Sequence, residues 1–387
     1  MRVIKISEIE IHGFCEEPFK LIEDAFRLNF QQGQEIGASV AVVHEGKLVV
    51  DLWGGYMDNQ QTRSWEKNTL VNVYSTTKIM GAICMHLLAD RNQIDLDAPI
   101  ATYWPEFAQA GKENMPVKYI LSHTTGIPGF SEKIAVEALY DWDRMTKMIA
   151  AQKPWWKAGT RSGYQSISFS FLVGELVKRV SGKSIGTFFR EEIAHPLNID
   201  FHIGTPQEYE PRIAELVGKP VPRWQQTVVK LFTPMIAKVV FNPDPNDLIP
   251  KANTREWRAA ELTSSNGHGN ARSIAQVGAI LACGGTYQGK HVLSSKSVDR
   301  AIEPQIKNFD KSTFTTVEWG LGFELNSKRY TLGPRTFNWG GYGGSKCVMD
   351  RELQVSVGYA MNRLEGNLLN DKRAVKLVEA TRKSLGL

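Results

Sequence analysis

The chain has 387 residues, 42% of them hydrophobic and 22% charged, with a formal net charge of +5, which allows a sizeable core in several domains or one large discontinuous one. Lysine and arginine are scattered among carboxylates and form no basic run, so nucleic-acid binding has no support. The four cysteines, Cys15, Cys84, Cys283 and Cys347, show neither CxxC nor Cys/His ligand spacing, so reduced, buried thiols are expected rather than a disulfide framework or a zinc site.

The opening MRVIKISEIEIHGF alternates apolar and polar residues and carries Glu8 and Glu10, whereas a secretory signal needs an uninterrupted apolar stretch of about 7–15 residues. The reading is a cytoplasmic chain with a native start. Amphipathic helical spacing from Phe19 to Phe30 is followed by GASVAVVHEGKLVVDLWGGY, two β-branched strands joined at Glu45-Gly46, a hairpin signal. From Ser75 to about Asp200 the periodicity is mostly helical, and ISFSFLVGELVKRVSG carries an apolar stripe that ends at a glycine C-cap. The stretch from Thr205 to Arg258, rich in proline and interrupted by charges, reads as an irregular insertion. Its most apolar part, Val228 to Phe241, is broken by Lys230, Pro234 and Lys238 and is too short to span a bilayer. A buried or lid helix is predicted there, and no integral membrane segment. RSIAQVGAILACGG predicts another capped helix, RTFNWGGYGGSKCVMDRELQVSVGYAMNR three short strands separated by glycines and Asp350-Arg351, and KRAVKLVEATRKSLGL a final amphipathic helix. Strands at both ends with helices between them predict an α/β lobe built from 1–74 and 262–387, and a mainly helical lobe over 75–261 with a lid-like insertion near 205–258.

The chemistry concentrates in NVYSTTKIMGAICMHLLAD. Ser75 and Lys78 stand at i and i+3, on one helical face, so hydroxyl and amine can meet. The apolar residues that follow would bury the helix, and burial lowers an ammonium pKa from about 10.4 toward neutrality. A neutral Lys78 could then take the proton of Ser75 as it attacks a carbonyl, with the helix N-terminus favouring the oxyanion. Taken alone, the same residues also fit an N-cap serine and a solvent-facing lysine. A second SxxK, Ser64 to Lys67, sits in a polar loop with no apolar helix behind it. In GTRSGYQSISFS, Tyr164 follows a glycine-rich turn and opens a helix, where its phenol could relay protons with Lys78. In FNWGGYGGS, Gly340 and Gly341 mark close approach of backbone to another group, a substrate edge being one candidate.

Together, Ser75-Thr-Thr-Lys78, Tyr164 with Ser166 two residues on, and Trp339-Gly340-Gly341 resemble the three active-site elements of the penicillin-recognising serine hydrolases. The resemblance runs through VNVYSTTK, IDLDAPIATYWPEF, ILSHTTGIPGF, TSSNGHGNARSIAQVGAILACGG and GLGFEL, and is closest to the family VIII carboxylesterases, which are similar to class C β-lactamases and carry WGG where lactamases carry KTG. It implies an α/β (α+β) fold with an antiparallel β-sheet flanked by helices, drawing strands from roughly Gly37–Trp53 and Arg335–Met361. It implies Ser75 as acylated nucleophile, Lys78 as its base, Tyr164 as proton relay, the backbone N–H groups of Ser75 and Tyr342 as oxyanion hole, and Trp339, Gly340, Gly341 and Ser166 at the substrate pocket. No cofactor or metal is implied, and the substrate is a small ester. His123 and the Ser264–Arg272 segment are assigned structural or pocket-lining roles. Two departures, Ser166 for the asparagine and Trp339 for the lysine of lactamases, favour neutral esters over β-lactams. The insertion is expected to cover part of the cleft and set acyl size through Trp224, Leu231, Phe232, Met235 and Phe241. The alternatives are a β-lactamase or DD-peptidase, an acyltransferase, and a non-catalytic scaffold; a GxSxG elbow is absent from the sequence.

Overall fold

An unbroken β-branched run such as SVAVV suits a strand covered on both faces, and the fold provides that cover. The computed structural model describes residues 9–310, 312–313, 315–365 and 371–387, with the backbone alone for residues 225, 230, 232, 234 and 236. The first eight residues of the N-terminal stretch therefore lie outside the described residues. Nine strands form one antiparallel sheet: β1 (Ile11–Cys15), β2 (Gly37–His44), β3 (Lys47–Gly55), β4 (Ile306–Asp310), β5 (Thr315–Trp319), β6 (Glu324–Leu325), β7 (Thr336–Gly340), β8 (Lys346–Asp350) and β9 (Val355–Met361). Their spatial order is β1-β3-β2-β9-β8-β7-β6-β5-β4. The early hairpin thus lies directly against the last strand, Val42 opposite Val357 and Val40 opposite Tyr359, in one sheet as the sequence predicts. At the hairpin corner Glu45 and Gly46 both take left-handed backbone (φ 50° and 76°), which matches the twist of the flanking strands.

The helices that matter here are α1 (Lys20–Gln31), α2 (Lys78–Asp90), α3 (Ser168–Ser181), α4 (Arg223–Phe232), α5 (Pro234–Val240), α6 (Ala271–Ala282) and α7 (Lys372–Ser384). α6 lies close against β9: a Cβ on Gly358 would stand 2.2 Å from the Ala271 carbonyl oxygen, so only glycine admits the helix there. α1 and α7 pack together on the other side of the sheet. α3 ends, as its sequence predicts, at Gly182 in the left-handed conformation (φ 73°). α2 is buried from Lys78 to Leu88, an all-round apolar helix that can exist only inside a protein.

The 205–258 stretch is helical over most of 228–241, as the sequence predicts, and more regular elsewhere than the irregular insertion expected. It contains α4, α5 and two further short helices, Pro245–Lys251 and Arg255–Ala259. Its prolines Pro234 and Pro245 open helices at the first position, where the missing N–H would have had no partner anyway. Trp224 and Leu231 are 68% and 73% exposed, so they line no pocket, contrary to expectation. Met235 and Phe241 are half-buried, and the side chain of Phe232 lies outside those described. The cysteines are free; Cys84 and Cys347 are buried, but Cys15 and Cys283 are only half-buried. Among the described residues no helix is long and apolar enough to cross a membrane.

Candidate active site

Tyr74 bends the chain where the site begins. This buried, non-glycine residue holds left-handed backbone (φ 43°), a conformation that surrounding structure must impose. The kink turns the extended Val71–Asn72 pair into the 3₁₀ turn Tyr74–Thr77, which runs straight into α2. Ser75 is left half-buried at the head of that helix, and Lys78, 1% exposed, lies one turn beneath it.

Lys78 Nζ is 3.2 Å from Ser75 Oγ and 2.9 Å from Tyr164 Oη, and it donates to the carbonyls of Ser166 at 3.0 Å and Ser264 at 3.2 Å. Tyr164 Oη donates to Ser75 Oγ at 2.7 Å. Burial drives the Lys78 ammonium well below the ordinary lysine range and raises the Tyr164 phenol, because each charged form would stand in a poorly solvating interior. The two carbonyls only accept. In the neutral amine they would occupy both N–H groups and leave the lone pair facing the two hydroxyls.

Tyr164 precedes α3 by four residues and does not open it, a correction to the sequence reading. It is held by Asp310 at the end of β4, whose Oδ2 accepts from the Tyr164 backbone N–H at 3.0 Å and from Ser162 Oγ at 2.9 Å. Trp339 exposes only 4% of its surface. Its ring lies 5.0 Å from Trp319, 5.3 Å from His123 and 6.0 Å from Tyr164. It backs the tyrosine. His123 is fully buried with Nδ1 at 3.0 Å from Gln165 Oε1, and burial lowers its imidazole to about 3, so the ring is neutral. Ser166 contributes its carbonyl to Lys78, and its N–H donates to the Pro128 carbonyl at 3.2 Å.

The turn after β7 is fastened to the serine segment. A Cβ on Gly341 would meet the Val73 carbonyl oxygen at 2.0 Å, so glycine permits the approach. Ser345 Oγ donates to that same carbonyl at 2.7 Å and sits 2.9 Å from Thr76 Oγ1. Tyr342 meets Tyr74 edge to face at 5.6 Å. From behind, Arg373 Nη2 donates to the Gly343 carbonyl at 2.7 Å while the same guanidinium pairs with Asp371 at 2.6 Å and Glu35 at 3.0 Å. The Gly340 register partner is Lys346, whose Nζ lies over the Tyr330 ring at 3.8 Å. Because neighbouring strand residues alternate faces, Lys346 points away from the face that carries Trp339.

Of the residues the sequence singled out, Ser75, Lys78 and Tyr164 converge, Ser166 and Trp339 lie against them, Gly341 and Tyr342 meet Val73 and Tyr74 just before Ser75, and Gly340 faces Lys346 instead. Ser64 and Lys67 are exposed. Sequence reasoning missed Asp310, Ser345 and Thr76, and gave the Ser264 segment a structural or pocket-lining role without its carbonyl contact to Lys78; the YGGS following Trp339-Gly340-Gly341 was the signal that could have marked Ser345.

A family model described as Beta-lactamase matches residues 22–381. The chain is similar to a family VIII carboxylesterase of known structure, at 38% identity, with 97% of this chain and 100% of that one covered and a TM-score of 0.91. It is also similar to a penicillin-binding protein homolog from Caulobacter crescentus, at 33% identity, 97% and 100% coverage and a TM-score of 0.89. The Esterase/beta-lactamase LipL of Mycobacterium tuberculosis is 29% identical over 369 residues, 92% of this chain and 83% of that protein. With its antiparallel sheet flanked by helices and a family match over nearly its whole length, the chain belongs to the beta-lactamase family, on the branch of the family VIII carboxylesterases.

Proposed function

We infer that this protein is a carboxylesterase that cleaves short- to medium-chain esters through an acyl-Ser75 intermediate. The observation that carries the reading is the three-way contact of Ser75 Oγ, Lys78 Nζ and Tyr164 Oη around a buried, neutral amine. Lys78 takes the Ser75 proton as Oγ bonds to the ester carbonyl carbon, and the backbone N–H groups of Ser75 and Tyr342 receive the developing oxyanion. Collapse breaks the bond to the alkoxy group, and Tyr164 passes it a proton, replenished from Lys78. Water, deprotonated through the same pair, then releases the acid. The names of the similar proteins, an esterase and a carboxylesterase among them, agree with this assignment.

The charge pattern argues against β-lactams as preferred substrates. A lactam carries a carboxylate, and the family position for its cation is Trp339; Lys346, the nearest lysine in the register, lies on the other face. Losing one charge-assisted contact forfeits about 1.5–3 kcal/mol, or roughly ten- to a hundredfold in kcat/KM. A chromogenic cephalosporin is therefore expected to be turned over far less efficiently than a short p-nitrophenyl ester under the same conditions. Equal or better cephalosporin turnover would put the β-lactamase reading first.

Acyl size is assigned to the insertion. Its ends attach to two segments linked to the Ser75 site: the Val217 N–H donates to the Asn362 carbonyl, near the Gly343 turn, and Asn242 Nδ2 donates to the Phe130 and Glu132 carbonyls, two and four residues after Pro128. Met235→Ser and Phe241→Ser are expected to shift the preferred p-nitrophenyl acyl length while moving the melting temperature little. An unchanged length ranking would remove the insertion from substrate selection.

A further inference from the structure

We propose that the outer face of α4 docks on an anionic lipid surface and so brings the cleft to esters held there. Trp224, Val228 and Leu231 stand at i, i+4 and i+7, one line along the helix, and are 68%, 47% and 73% exposed. A helix exposing tryptophan and leucine along one line with cations at its flank has the make-up of an interfacial helix. The charge agrees: residues 216–243 contain Lys219, Arg223, Lys230 and Lys238 and no aspartate or glutamate. Lys219 and Arg223 are exposed, and Lys238 lies over the Trp155 ring. The carboxylate that does touch α4, Asp244, sits under its inner face, where it accepts from the buried Gln226. The polar inner side thus holds the helix to the protein and the apolar line is turned outward.

The position of the helix gives the docking a use. Residues 218–241 bridge from Val217, beside the Leu364 side chain that covers Gly343, to Asn242, beside the Phe130 segment. The preceding Pro128 carbonyl takes the Ser166 N–H at 3.2 Å. A surface touching Trp224 and Leu231 therefore meets a segment fixed at one end beside the Gly343 turn and at the other beside the Phe130 segment, both linked to the Ser75 site. The inference rests on the esterase reading for its purpose, but its test measures binding and is decided separately.

The experiment is co-sedimentation of the full chain with sucrose-loaded vesicles of phosphatidylcholine, with and without phosphatidylglycerol, at low and high salt. The wild type is expected to pellet with the anionic vesicles, less so at high salt, and to stay in solution with phosphatidylcholine alone. Arg223→Glu is expected to lower binding by at least about fivefold, the contribution of one cation near an anionic leaflet. Trp224→Ser combined with Leu231→Ser is expected to lower it by about tenfold or more. Both variants should hydrolyse soluble p-nitrophenyl acetate as the wild type does, which shows that they fold. Failure of the wild type to pellet, or equal pelleting with neutral vesicles, overturns the proposal. So does a wild-type dimer that the double variant dissolves without any vesicle binding, which would make the stripe a face for a second copy of this chain. If vesicle binding appears in a protein with no esterase activity, the docking stands and the catalytic reading falls.

Discussion

Ser75→Ala and Lys78→Ala are each expected to lower kcat/KM for a p-nitrophenyl ester by about 10⁴-fold or more, the loss typical when one member of a nucleophile–base unit is removed. Ser64→Ala should leave the rate near wild type, because that serine is exposed in the polar copy of the motif. The pH profile tests the lysine separately. Only the neutral amine can accept the Ser75 proton, so activity should fall on the acid side as Lys78 gains a proton and reach a plateau above its pKa. Burial holds that pKa well below the ordinary lysine value, so the plateau should begin well short of the range of an ordinary lysine. The phenol of Tyr164, raised by burial, stays protonated across the neutral range and adds no second fall there. Lys78→Arg should be as inactive as the alanine variant, since a guanidinium cannot be deprotonated in a protein. Full activity in Ser75→Ala would end the mechanism. A rise confined to the range of free lysine, about 10.4, would mean that the base is not the buried amine.

The serine and lysine were legible because their relation is local: three residues apart on one face, followed by residues that could only be buried. Tyr164 was legible through its motif, yet its placement was not, since it depends on Asp310, 146 residues away. The same holds for the carbonyls to which Lys78 donates, one of them 186 residues distant. No period or cap in the sequence encodes such a contact. Trp339 illustrates a different gap. A tryptophan in a strand-like segment can wall a pocket or fill a core, and the choice is made by Trp319 and His123, which reach it from elsewhere in the chain. The early hairpin and late strands were readable as strands, and their pairing followed from the family pattern rather than from spacing. In the 205–258 insertion the helix over 228–241 was readable, but those after it were not, because the proline-rich stretch read as irregular. Thr254 caps one of its helices, accepting from the Trp257 N–H, and Asp244 caps another, accepting from the Asn246 N–H. A cap residue followed by proline at the first helical position is a start signal, and at Asp244-Pro245 it was present in the sequence.

Arg373→Ala is expected to lower the melting temperature by on the order of 10 °C, from the roughly 3–5 kcal/mol lost when one partner of a buried ion pair is removed. The guanidinium is 2% exposed and stands between Glu35, fully buried, and Asp371, 4% exposed. Without it two carboxylates face each other in a site that water does not reach. Asp371 is also the N-cap of α7, accepting from the Arg373 and Ala374 N–H groups, so the damage extends to the helix that covers the sheet. A second effect should appear below the melting transition. Arg373 is the donor to the Gly343 carbonyl, one residue after the Tyr342 N–H assigned to the oxyanion, and a Cβ on Gly344 would lie 2.3 Å from Asp371 Oδ2, so the turn rests directly on this ion pair. Removing an oxyanion donor outright lowers kcat by about 10²–10³-fold. Loosening the turn that carries it should lower kcat by about tenfold with little change in KM. Glu35→Gln separates the two effects. It keeps Arg373, its bond to Gly343 and its pairing with Asp371, so kcat should stay within about twofold of wild type even where the melting temperature drops. If folded Arg373→Ala kept its full kcat, the turn would be held without the guanidinium, and Arg373 would be a stability residue alone.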